Sequence, residues 1–173
     1  MRENQTRKLA ACGLMAAMIF VITWAVKLPV PFTSAGAYVN LGDSVIYLTA
    51  YLLGGWMGVL ASGIGSMLAD ILAGAGVYIL PTLIIKSLMG LVCWLLMRRS
   101  EKFGPFLLGS IVGGLIMVVG YGAFEWAFFG AAYAITSLPF NLIQLGGGVI
   151  IAIPLFFAGK KLKLHLLGPE KKN

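Results

Sequence analysis

Long apolar runs, separated by short polar or glycine-containing breaks, dominate this sequence. Six of them stand out, at about residues 9–26, 41–54, 56–73, 78–97, 105–128 and 138–159. A helix that crosses the hydrocarbon core of a bilayer needs about 20 mostly apolar residues. The second run is short, and its junction with the third, Leu53-Gly54-Gly55-Trp56, is tight. An alternative reading therefore joins these two into one broken unit and leaves five spans.

Composition names the solvent. Hydrophobic residues make up 60% of the 173 and charged residues 11%, against about 25% charged in soluble domains. A chain this small cannot hide so much apolar surface from water. The pattern predicts an all-α integral membrane protein with a single transmembrane domain over 1–173. The net charge of +7 does not indicate nucleic acid, because the cations are segregated. They cluster at Arg2, Arg7 and Lys8, at Arg98, Arg99 and Lys102, and at Lys160, Lys161, Lys163, Lys171 and Lys172. With six transmembrane helices, N-in and C-in, these clusters all fall on the cytoplasmic side, as the positive-inside rule requires. An odd number would expose one basic terminus outside.

Cys12 and Cys93 each lie in an apolar run and read as packing residues, with no disulfide and no metal site. Leu9-Ala10-Ala11-Cys12 has the outline of a lipoprotein cleavage box, but the apolar stretch follows the cysteine instead of preceding it. The first run lacks a convincing cleavage site and reads as a retained helix. The stretch from Lys27 to Asn40 contains Pro29 and Pro31, which forbid regular helix. Loops of that length are either functional lids or plain connectors.

The third run carries two ladders of small residues: Gly54, Gly58, Ser62 and Ser66, continued by Asp70, and Ala61, Gly65, Ala69 and Ala73. This spacing lets helices approach closely in lipid. Cys12/Ala16 and Gly13/Ala17 form a similar face on the first run. Four ionisable residues lie within or beside spans, and each is a functional candidate because a lone charge in lipid is costly. Asp70 and Lys86, on neighbouring helices, read as a structural ion pair. Asp43 suits the start of the second helix, where its charge favours the dipole. Glu125 has no evident structural partner and lies one turn after Tyr121 and beside Trp126. Asn141 and Gln144, three apart, share a helix face. The only histidine, His165, is in the basic tail. There is no nucleotide-binding loop, no catalytic triad and no cofactor motif, so active transport would draw its energy from a partner or an ion gradient.

Three stretches carry a family resemblance: Tyr38-Val39-Asn40-Leu41-Gly42-Asp43, the segment Gly63 to Gly74, and Pro81-Thr82-Leu83-Ile84-Ile85-Lys86-Ser87-Leu88-Met89-Gly90. Together they resemble the substrate-specificity (S) components of energy-coupling factor (ECF) vitamin transporters, in the riboflavin, hydroxymethylpyrimidine or pyridoxine branch. The resemblance implies a six-helix protein of the bacterial cell membrane that binds one vitamin near the outer face. It further implies docking on a transmembrane coupling protein and two cytoplasmic ATPases, with Cys12, Gly13, Ala16 and Ala17 as the docking face. The pocket it implies is built from Tyr38, Asn40, Tyr78, Lys86, Tyr121, Glu125, Trp126, Tyr133, Asn141 and Gln144. Aromatic rings there would stack on a flat heterocycle and polar groups read its edge. Pyridoxine or a hydroxymethylpyrimidine is the first expectation for the ligand and riboflavin the alternative. The competing readings are a stand-alone proton-driven carrier and a ligand-free scaffold.

Overall fold

The computed structural model describes residues 2–29 and 38–167. Residues 30–37, the middle of the proline-containing loop, lie outside the described residues, as does the side chain of Tyr38. Six helices make up nearly all of the rest: α1 (Arg2–Ala25), α2 (Gly42–Leu52), α3 (Gly55–Leu72), α4 (Ile79–Met97), α5 (Phe103–Phe129) and α6 (Ala131–Leu167). A 3-10 turn at Gly76–Tyr78 leads into α4. The ends of the long loop form two short antiparallel strands, β1 (Lys27–Pro29) and β2 (Tyr38–Asn40), with Leu28 opposite Val39.

Among the described residues, five helices are long and apolar enough to cross a membrane. The exception, α2, has 11 residues, about 16 Å at the α-helical rise, or about half of a bilayer core. It is also the most enclosed element. Residues Gly42 to Tyr51 are all buried, and α2 packs against each of the other five helices. At its start, the Asn40 side-chain oxygen accepts the Gly42 N–H at 2.8 Å. At its end, Gly54 and Gly55 both adopt positive φ, 56° and 54°, a conformation that costs glycine little. The chain therefore reverses straight into α3.

The small residues of α3 face different neighbours. Gly63 and Ser62 meet α4: a Cβ on Gly63 would lie 2.1 Å from the Ser87 hydroxyl, and one on Gly90 2.8 Å from that of Ser62. Gly65 meets α1, where a Cβ would lie 2.5 Å from the Ala16 carbonyl oxygen. On α5 and α6, Gly113, Gly114 and Gly148 let the backbones close around Tyr47 of α2.

The last helix begins seven residues earlier than the apolar pattern predicts. Gly130, with φ of 91°, is the only residue between α5 and α6. A left-handed glycine suffices to reverse the chain, so residues 131–137 belong to the helix. The helix order leaves the β1–β2 hairpin, the 3-10 turn and Gly130 at one end of the bundle. The α2–α3 junction, the α4–α5 loop and the basic end of α6 lie at the other.

Candidate functional site

Because α2 spans only half the bundle, the centre of the hairpin end is open. A cavity of about 280 Å³ occupies it. Three helical spacings supply the lining. On α4 and the turn before it, Tyr78, Thr82 and Lys86 recur every four residues and so share a face. On α5, Tyr121 and Glu125 do the same. On α6, Asn141 and Gln144 are three apart. Asn40 from β2 and Asp70 from the end of α3 complete the wall.

The floor is a buried ionic network at the first turn of α2. Lys86 Nζ lies 2.5 Å from Asp43 Oδ1, and the two side chains are 2% and 1% exposed. Gln144 Nε2 donates to the other Asp43 oxygen at 2.7 Å. One carboxylate thus ties α2 to α4 and α6. This corrects the pairing read from the sequence: the partner of Lys86 is Asp43, 43 residues away, and not Asp70. The Lys86 ammonium also lies 5.4 Å from the centre of the Tyr121 ring, whose hydroxyl shares a 2.8 Å hydrogen bond with Thr82.

The other two carboxylates also differ from the sequence reading. Glu125, 6% exposed, does have structural partners. The Ser137 hydroxyl donates to one of its oxygens and the Tyr78 hydroxyl to the other, at 3.4 Å. By contrast, Asp70 keeps a buried carboxylate oxygen with no hydrogen-bond partner, and the Asn141 side-chain nitrogen is likewise buried and unpartnered.

Around the mouth, Tyr78 packs against Phe124 and Phe129, and Tyr133 against Phe129. Tyr133 stands at this rim, 3.4 Å hydroxyl to hydroxyl from Tyr78. Trp126 does not join the cavity. It is 66% exposed on the outside of the bundle, because it follows Glu125 by one residue and so points about 100° away around the helix. Thr82, Ser137 and the floor residue Asp43 were not among the sequence candidates for this pocket. The four-residue spacing of Tyr78, Thr82 and Lys86 was the available signal for Thr82.

The small-residue face of α1 is split. Cys12 donates to the Met57 carbonyl of α3 at 3.2 Å, and Ala16 packs against the core and Gly65. Gly13 and Ala17 are exposed, with nothing within 4 Å of a Cβ built on Gly13. Cys12 and Ala16, both half-buried, pack α1 on α3, and Gly13 and Ala17 are the exposed members of this face.

A second cavity, about 300 Å³, lies at the basic end. Tyr51, Gly54, Trp94, Met97, Arg98, Glu101 and Lys163 are among its lining residues. Lys163 is paired with Glu101 and lies 5.2 Å from the centre of the Tyr51 ring.

Comparison with known proteins gives a consistent family. The family described as ECF-type riboflavin transporter, S component, matches residues 3–162. An uncharacterised protein of Pyrococcus woesei is 34% identical over 143 residues, covering 83% of this chain and 95% of its own length. The thiamine precursor transporter HmpT of Lactococcus lactis subsp. cremoris is 30% identical over 152 residues, 88% of this chain and 87% of its own. Among solved structures, the S component of a bacterial ECF transporter superposes with a TM-score of 0.71 at 18% identity, over 94% of this chain and 98% of that one. The biotin S component of an ECF-type ABC transporter gives 0.66 at 20% identity, over 94% of each. The six-helix fold is that of these structures, and the chain, a multi-pass membrane protein, belongs to the family of ECF-type riboflavin transporter S components.

Proposed function

We propose that this S component binds a single-ring thiamine precursor of the hydroxymethylpyrimidine type in the cavity above α2. The observation that carries the reading is the cavity itself. It is small, it has two tyrosine rings in its wall, Tyr78 and Tyr121, and its polar groups converge from β2, α3, α4, α5 and α6. A volume of about 280 Å³ lies just below the roughly 300–1,000 Å³ range of small-molecule pockets. That suits one heteroaromatic ring better than the fused rings and sugar-alcohol chain of riboflavin. The Lactococcus relative is a thiamine precursor transporter, which favours a hydroxymethylpyrimidine over pyridoxine. The family's description keeps riboflavin as the second ligand to test.

Delivery to the cytoplasm then falls to a coupling protein and two ATPases, since the chain carries no nucleotide-binding motif. The exposed Gly13/Ala17 stripe of α1 is the docking surface in this reading. The basic end faces the cytoplasm of a cell whose plasma membrane holds the complex. Purified protein titrated calorimetrically with hydroxymethylpyrimidine, pyridoxine, thiamine and riboflavin should bind the first most tightly. Vesicles containing this protein alone should bind the ligand without accumulating it. Tighter binding of riboflavin would reassign the ligand, and concentrative uptake by the lone protein under a proton gradient would favour a stand-alone carrier.

A further inference from the structure

Among the described residues, four acidic or basic side chains meet at the cavity, and they are not equivalent. Asp43 and Lys86 neutralise each other in the floor. Glu125 is held by Ser137 and Tyr78. Asp70 alone keeps a buried oxygen without a partner. The residue across the same cavity in the same condition is Asn141, through its side-chain nitrogen. A carboxylate only accepts hydrogen bonds, whereas an amide nitrogen only donates them. A buried polar atom left unsatisfied is costly, and more so away from water.

We propose that Asp70 is a ligand-reading residue, and that with Asn141 it selects a heteroaromatic edge on which an amino donor adjoins an acceptor. The proposal rests on the cavity being the vitamin site, as argued above. An aminopyrimidine has such an edge: its exocyclic amino group can donate to Asp70 and a ring nitrogen can accept from Asn141. The same charge arrangement excludes a phosphate ester. Its dianion would face Asp70 and Glu125, while Lys86, the one cation among the cavity's described lining residues, is already committed to Asp43. The site accordingly takes the free alcohol of the precursor and refuses its phosphorylated form.

The test uses detergent-purified full-length protein and three probes: 4-amino-5-hydroxymethyl-2-methylpyrimidine, its 4-oxo analogue and its phosphate monoester. Calorimetry on the unaltered protein should give at least about tenfold tighter binding of the amino compound than of the oxo compound, and no measurable binding of the ester. Asp70→Asn, which supplies a donor in place of an acceptor, should reduce the amino-over-oxo ratio by about tenfold or more. A merely structural aspartate would weaken both ligands alike and leave the ratio unchanged. Equal affinity of the unaltered protein for the amino and oxo compounds overturns the proposal without any variant, so a variant that fails to fold does not shelter it. Binding of the ester as tightly as the alcohol overturns it too. Failure of the unaltered protein to bind the amino compound at all removes the proposed ligand itself, and this proposal with it. Binding of that compound with an unchanged ratio in Asp70→Asn removes only the role given to Asp70.

Discussion

The two ends of α2 carry similar parts in opposite settings. Each end opens on a cavity of roughly similar size, about 280 and 300 Å³. Each cavity holds a lysine paired with a carboxylate and placed near a tyrosine ring. At the hairpin end the pair is sealed: Lys86 and Asp43 are 2% and 1% exposed, and Gln144 takes the remaining carboxylate oxygen. At the basic end, Lys163 and Glu101 are 20% and 46% exposed. Burial decides what such a pair does. A sealed pair must be complete, because removing one partner leaves an uncompensated charge in a medium that cannot hydrate it. An exposed pair exchanges one set of favourable contacts for water and loses little. The hairpin end therefore fixes the relative positions of α2, α4 and α6, and the cavity stands on that fixed floor.

The sharpest way to break this contrast is Lys86→Met. It removes the cation and leaves Asp43 buried and charged, so we expect a loss of about 3–5 kcal/mol of stability. That loss should appear as a large fall in the detergent melting temperature or as failure to accumulate in the membrane. Adding Asp43→Leu should restore much of the loss, since a buried pair replaced by apolar residues of similar size is often near neutral. Ligand binding should not return in the double variant, because Lys86 lines the cavity. If Lys86→Met alone melts like the unaltered protein, the floor does not hold the bundle together.

How much of this was legible in the sequence follows from how far each interaction reaches along the chain. Helices α3, α4 and α5 appear within a few residues of where the apolar runs put them, because hydrophobic length is a local property. The start of α6 was not legible. Ala131 to Ser137 includes Thr136 and Ser137, which look like loop, yet both lie inside the helix, and the Thr136 hydroxyl donates to the Tyr133 carbonyl three residues back. Missing that turn of helix meant missing Ser137, and so the partner of Glu125. The ion pair was misassigned for a related reason. Asp70 and Lys86 are neighbours in sequence, whereas Asp43 reaches Lys86 only once α2 is enclosed at the centre of the bundle. Nothing in a period or a spacing encodes that enclosure. The lining residues Tyr78, Tyr121, Glu125, Asn141 and Gln144 were legible, because polar groups in an apolar run have few places to go except inward.

A smaller effect is expected from Glu125→Gln. Glu125 already has two hydroxyl donors, and glutamine keeps an acceptor for one of them, so folding should be little changed. What is lost is the negative charge at the cavity wall. A hydrogen bond to a charged group contributes about 1.5–3 kcal/mol, so affinity for hydroxymethylpyrimidine should fall by about one to two powers of ten. Calorimetric titration checks this. An unchanged dissociation constant would mean that Glu125 serves only to tie α5 to Ser137 and Tyr78.

The smallest effect belongs to the basic end. Lys163→Met keeps most of the side chain's apolar stem and removes the charge that faces Glu101 and the Tyr51 ring. Exposed pairs contribute about 0.2–1 kcal/mol, and a partly exposed cation over a ring about 0.5–1 kcal/mol. Both terms are shared with water here, so the combined loss should stay near 1 kcal/mol. Because the Glu101 charge is solvent-accessible, part of that loss should vanish in high salt, where the Debye length shrinks to about 3 Å at 1 M. The sealed Lys86–Asp43 pair should show no comparable salt response. Melting curves of Lys163→Met and the unaltered protein at low and high salt make the comparison directly. Ligand affinity should be the same in both, since Lys163 lies at the opposite end of α2 from the binding cavity. A salt-insensitive loss of several kcal/mol in Lys163→Met would mean that the basic end is as sealed as the hairpin end, and the contrast drawn from burial would fail.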